Sequence, residues 1–149
     1  MRRTLHPDGM TGAGRFVDGY LGYLLGQANH AVYKDFDREV RAAGLSSIEW
    51  RVLATLQDSA PLAVSQLALE VLSKQPTVTK LVQRMSEQGW VRLAADPVDQ
   101  RRTLVAITAA GQAAVKPLIN KAKQHETQTL RALSATETVA LKKLLEKLA

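Results

Sequence analysis

Cysteine is absent from the 149 residues, which excludes disulfides, thiolate zinc sites and thiol-based redox sensing. Such a chain suits a reducing cytoplasm, and that is the expected location. There is no apolar run of 18 residues, and Arg2 and Arg3 have no apolar segment behind them, so signals for a membrane span or a secretory leader are missing. Aromatic residues make up only 5%; leucine, valine and alanine dominate the apolar set and favour helices. Catalytic groupings are missing too. No glycine-rich phosphate loop follows a strand, no His-x-x-x-His pair occurs, and His6, His30 and His125 stand at no spacing to carboxylates that suggests catalysis. The expectation is a protein that is not an enzyme and holds no metal or cofactor.

What is present is enough for a sizeable core, with 46% apolar residues in a length that fits one domain. The net charge of +6 permits a nucleic-acid partner. Its distribution tempers that: residues 61–107 carry six basic and four acidic side chains, while 108–149 carry seven and three. The larger surplus reads as a solvated helix face.

The chain is organised around Ser73 to Thr108. Val78, Leu81, Val82 and Met85 fall at i, i+3, i+4 and i+7, an apolar stripe that lays a helix of about Gln75–Gln88 against a core. Pro76 suits its first turn and Gly89 its end. The opposite face shows Thr77, Thr79, Lys80, Gln83 and Arg84, donors and cations suited to base edges and phosphates. Trp90–Ala94 and Thr103–Ile107 then read as strands flanking a turn-rich tip that holds Asp99, Arg101 and Arg102. Ser65 to Leu72 gives the preceding helix, with Leu67, Ala68, Val71 and Leu72 inward, and the tight turn makes a helix-turn-helix. Its arginine-tipped ribbon completes the outline of a winged version, and an arginine at such a tip can reach the negative potential of a minor groove.

Around this lobe the pattern is helical. Residues 1–14 are expected to be a flexible arm, and 15–149 one winged-helix domain, with the DNA-binding lobe at 46–107 and the wing at 90–107. Arg15 to Ala43 reads as one helix closed by Gly44. Gly19, Gly22 and Gly26 within it mark either close approach of another helix or room for a small molecule. Ser46 and Glu49 form a capping box, as do Ser134 and Glu137, and Thr108 caps a helix to about Leu130 that holds Pro117, with a kink expected near residues 113–117. Phe16 and Tyr20 at one end, and Leu141, Leu144, Leu145 and Leu148 at the other, leave apolar surface that a second chain should cover. The helices at 15–44 and 108–149 are therefore the expected dimerisation elements.

The hairpin Asp96-Pro97-Val98-Asp99-Gln100-Arg101-Arg102, running through Leu104 and Ile107 to Thr108-Ala109-Ala110-Gly111, resembles the wing signature of the MarR family of transcriptional regulators. Leu67-Ala68, Thr77-Val78-Thr79 and Gly89-Trp90-Val91 are similar to other family positions. The resemblance covers roughly residues 16–148. It implies a mainly α winged helix-turn-helix with a two- or three-stranded wing, and a homodimer on a palindromic double-stranded operator, usually repressing. Arg101 would enter the minor groove, held by Asp99. Lys74, Gln75, Thr77, Thr79, Lys80, Gln83 and Arg84 would face the duplex, with Arg102 on the wing and Ser65 on the helix before the turn. It further implies a small aromatic or phenolic effector between the dimerisation helices and the lobe, lined by His30, Tyr33, Lys34, Trp50 and Arg51; core packing competes for Trp50, and a partly buried structural role for His30. The chain departs from the family at the turn, where many members have Gly and a Ser or Thr cap. Here Leu72 and Lys74 stand in those regions, leaving Ser73 or Gln75 to cap the reading helix. The competing functions for the same fold are a protein-docking module and a sequence-indifferent architectural DNA binder.

Overall fold

A computed structural model of the chain describes residues 14–149; apart from Gly14, the expected N-terminal arm lies outside the described residues. The order is a 3₁₀ turn at Phe16–Gly19, then α1 (Leu21–Ala42), α2 (Ser47–Leu56), β1 (Leu62–Ala63), α3 (Val64–Glu70), α4 (Gln75–Glu87), β2 (Val91–Ala95), β3 (Thr103–Ile107), α5 (Ala109–Leu130) and α6 (Ala135–Leu148). This is a mainly helical winged helix-turn-helix. Among the described residues, no helix is long and apolar enough to cross a membrane.

The expected single helix from Arg15 is interrupted. Tyr20 has extended backbone, with φ −80° and ψ 120°; its ring stacks on Phe16 at 5.0 Å. A Cβ on Gly22 would lie 3.1 Å from that ring, whereas Gly19 and Gly26 face open space. Tyr20 of the same chain therefore makes the close approach at Gly22. The capping boxes form as expected. Ser46 Oγ accepts from the Glu49 N–H and Glu49 Oε1 accepts from the Ser46 N–H, and Ser134 and Glu137 do the same. Thr108 Oγ1 accepts from the Gly111 N–H at 3.0 Å. Pro117 sits inside α5, between Ala109 and Leu130.

One core joins the lobe to the long helices. Phe36 and Val40 of α1, Val52, Leu53 and Leu56 of α2, Leu67 and Val71 at α3, the whole α4 stripe, Val105 of β3, and Val115 and Leu118 of α5 are all buried in it. Leu72, expected inward with them, is not. It is 84% exposed and has φ +57°, because the chain reverses there into a left-handed turn and throws the side chain out of the α3 face. The sheet is antiparallel in the order β1-β3-β2. Leu62 and Ala63 pair with Val105 and Leu104, and Val91 to Ala95 pair with Ile107 to Thr103, so the wing is three-stranded.

A tie between α1 and α5 steadies the frame beneath the lobe. Glu39 Oε2 takes Lys121 Nζ at 2.6 Å and Glu39 Oε1 stands 3.5 Å from His125 Nε2. The hydrogen bond from Lys121 holds the Glu39 carboxyl below its usual range. A lowered folded-state value means that the stabilisation is complete above the ordinary carboxylate range and is lost as pH falls through the lowered value. Glu39→Gln is accordingly expected to melt slightly lower than the parent at pH 7 and to show a smaller gap at about pH 3, below the ordinary carboxylate value. An equal gap at both values would contradict this.

Candidate nucleic-acid interface

α4 carries the candidate reading face because its stripe of Val78, Leu81, Val82 and Met85 is completely taken up by the core. Thr77, Lys80, Gln83 and Arg84 are thereby left on the exposed side, with Thr79 half-buried beside them. Thr79 Oγ1 donates to the Gln75 carbonyl at 2.9 Å, keeping its methyl and oxygen near the helix surface. Among the described residues, Lys80 and Arg84 have no ion-pair partner, so their charge is unspent. The first turn differs from both expected capping schemes. Lys74 is the residue at the cap, with extended backbone and no side-chain cap bond, since neither Ser73 nor Gln75 occupies that position.

The wing tip is built by its two aspartates. Asp96 Oδ1 accepts from the Val98 N–H at 2.9 Å and Asp99 Oδ1 from the Arg101 N–H at 3.1 Å, two turns of the kind in which an aspartate side chain replaces a backbone acceptor. Asp99 Oδ1 also takes Arg101 Nε at 3.2 Å. That hydrogen bond, with the backbone one, holds the Asp99 carboxyl below the usual carboxylate range. The Arg101 side chain is nevertheless 90% exposed. Its guanidinium is oriented through Nε while the side chain as a whole stays in solvent.

A cleft of ≈ 220 Å³ brings the parts together, lined by Ser65 of α3, Gln75, Thr79 and Gln83 of α4, and Arg101 and Arg102 of the wing. Six of the expected DNA contacts thus share one concavity. Lys74, Thr77, Lys80 and Arg84 lie outside it, exposed on or beside α4. The ribbon is fixed to the lobe from behind. Thr108 Oγ1 donates to the Gly89 carbonyl at 2.6 Å and the Thr108 N–H to the Trp90 carbonyl at 3.1 Å.

Residues 43–102 match the pattern that defines the MarR family. The HTH-type transcriptional repressor NicR of Pseudomonas putida is 30% identical over 132 residues, covering 89% of this chain and 84% of the relative. The chain belongs to the MarR family. The MarR family transcriptional regulator SPO1453 from Silicibacter pomeroyi superposes with a TM-score of 0.79 at 36% identity, over 91% of this chain and all of that one. BpsR of Bordetella bronchiseptica, whose structure concerns regulation of its DNA binding by 6-hydroxynicotinic acid, superposes with a TM-score of 0.78 at 26% identity, over 92% and 97% of the two chains. Membership makes this a DNA-binding transcriptional regulator of the winged-helix kind.

The residues expected around an effector divide into two groups. His30, Tyr33 and Lys34 line an open groove of ≈ 490 Å³ with Asn29, Asp37, Arg41 and Ser47. His30 is exposed. Trp50 faces elsewhere, packing edge-on to Phe36 at 4.9 Å, and Arg51 Nη1 donates to the Val71 carbonyl at 2.9 Å. Sequence reasoning missed Asp37, whose Oδ2 takes Arg41 Nε at 2.7 Å. The Tyr33 hydroxyl and Asp37 Oδ1 are buried without a hydrogen-bond partner among the described residues. Burial, and then the neighbouring Asp37 charge, push the Tyr33 phenol above its usual value. The i, i+4 spacing of Tyr33 and Asp37 was the available signal.

The residues expected at a dimer interface are uncovered. Phe16 is 79% exposed and Tyr20, Leu141, Leu144, Leu145 and Leu148 are exposed as well; no side chain of α6 is buried.

Proposed function

We propose that this regulator works as a cytoplasmic homodimeric repressor on an inverted-repeat operator and is released by a small aromatic acid. The shared cleft between α4 and the wing supports the DNA face, because one concavity with Gln75, Gln83, Arg101 and Arg102 on its walls fits a phosphate strand between a major-groove helix and a minor-groove arginine. The dimer follows from the apolar ends: Phe16, Tyr20 and the leucines of α6 expose a surface too apolar for a lone subunit. In this division 15–44 and 108–149 make the dimer and 46–107 reads DNA.

The release step rests on the groove beside α1. Lys34 offers charge to a carboxylate, and Tyr33 lines the same groove with a buried, unpartnered hydroxyl that a ring substituent would meet as the groove opens. 6-Hydroxynicotinic acid, the regulator of BpsR, has both groups. A protein-docking role for the same fold would leave the oriented Arg101 without a task.

Fluorescence anisotropy on a labelled operator, titrated with salt, tests this. The parent is expected to bind as a dimer with a steep salt slope and to weaken on addition of 6-hydroxynicotinic acid or a phenolic acid. Lys80→Ala and Arg84→Ala are each expected to reduce that slope by about one unit for each phosphate contact removed, and so by roughly two in a dimer. Unchanged slopes in both variants would remove α4 as the contact face.

A further inference from the structure

The turn between α3 and α4 holds a leucine where backbone physics disfavours one. Leu72 has φ +57°, a region in which a Cβ crowds the following carbonyl, and it is 84% exposed. Its side chain does not stabilise the turn; the backbone and Arg51 do. The Ser73 N–H donates to the Ala68 carbonyl at 3.0 Å and the Leu72 N–H to the Leu69 carbonyl at 3.3 Å. Arg51 Nη1 reaches over from α2 to the Val71 carbonyl at 2.9 Å. These bonds set the direction in which Leu72 projects. Leu69, three residues earlier, is 77% exposed as well. Strain and exposure both cost stability, and the core gains nothing from either. Leu72 stands two residues before Lys74, the residue at the cap of α4, and three before Gln75, which lines the cleft with Arg101.

We propose that Leu72 is a specificity-determining residue that packs on the 5-methyl group of a thymine at the edge of each operator half-site. Thymine is the base that presents an apolar group in the major groove, and an exposed leucine at the border of a cationic face complements a methyl group where a phosphate would not. This rests on the DNA face proposed above.

The test uses the full-length protein and its operator with single thymines replaced by uracil, which removes the methyl group alone. Binding by the parent is expected to fall ~4-fold for each half-site altered at one thymine, the value of one lost buried methyl. Leu72→Gly and Leu72→Asn suit a positive φ and should melt at or above the parent temperature. Both are expected to bind the natural operator roughly 4- to 10-fold more weakly in each half-site, to ignore that uracil, and to keep the parent salt slope because no charge is lost. Parent binding that is indifferent to every uracil, or variants that bind as tightly as the parent or retain its uracil penalty, would overturn the contact. A change in dimerisation with DNA binding intact would assign Leu72 to a second copy and overturn it too. Arg101→Ala in the same assay separates the failures: if it weakens binding while the Leu72 variants do not, only the thymine contact falls.

Discussion

Arg101→Ala is expected to weaken operator binding by about 3 kcal/mol, roughly 150-fold, with no change in melting temperature. A hydrogen bond to a charged group contributes about 1.5 kcal/mol or more when both partners are well placed, and the proposed dimer brings two wings. Arg101 meets that condition before DNA arrives, since Asp99 fixes its Nε at 3.2 Å while the side chain as a whole stays in solvent. Rotamer freedom that a free arginine would lose on binding is already partly spent. Its side chain supports nothing in the core, so folding is indifferent to its loss. Asp99→Asn should act in the same direction and less strongly, because the charge at the tip remains and only its aim is loosened. Anisotropy measures the affinity and a thermal melt the stability. A loss of both together would make the tip a structural element instead.

Gly111→Ala is expected to destabilise the fold by about 2–3 kcal/mol, lowering the melting temperature by roughly 5–10 °C. Replacing a helical glycine by alanine ordinarily stabilises by about 0.5–1 kcal/mol. Here the sign reverses, because the new Cβ would overlap the Trp90 carbonyl oxygen and lie 2.8 Å from Ile107 Cγ1. Ile107 has a flexible end that can yield. The Trp90 carbonyl does not, since it accepts the Thr108 N–H and lies next to the Gly89 carbonyl bonded by Thr108 Oγ1. The first turn of α5 is thus clamped on the junction of α4 and β2, and pushing it away would also re-aim the wing. Differential scanning calorimetry decides the matter. A melting temperature equal to or above the parent would show that the clamp yields cheaply.

Local chemistry made much of the fold legible in the sequence. The Ser46, Thr108 and Ser134 caps, the α4 stripe and the wing strands are all decided by residues within a few positions of one another. What was illegible depends on distant partners or on backbone state. Leu72 has the right spacing to be a core residue of α3, and its exclusion comes from a left-handed turn that Arg51 secures from 20 residues away. The Glu39 tie to Lys121 and His125 joins positions more than 80 apart in sequence. β1 is only two residues long and gives no periodic signal. At the site, the wing motif and the exposed face of α4 were readable, while the grouping of the residues expected around an effector was only half so. His30, Tyr33 and Lys34 share a groove because they share one face of α1, but the directions of Trp50 and Arg51 are set by Phe36 and Val71, which spacing along α2 does not reveal.

Hydroxyl-radical footprinting of the full-length protein on its operator tests most directly whether α4 and the wing form one face that a twofold partner repeats. The expected result is two symmetric half-sites with centres ~34 Å apart, one helical turn, each with a protected minor-groove patch on its flank that disappears in Arg101→Ala. A single asymmetric patch, or protection that is identical in the variant, would contradict it.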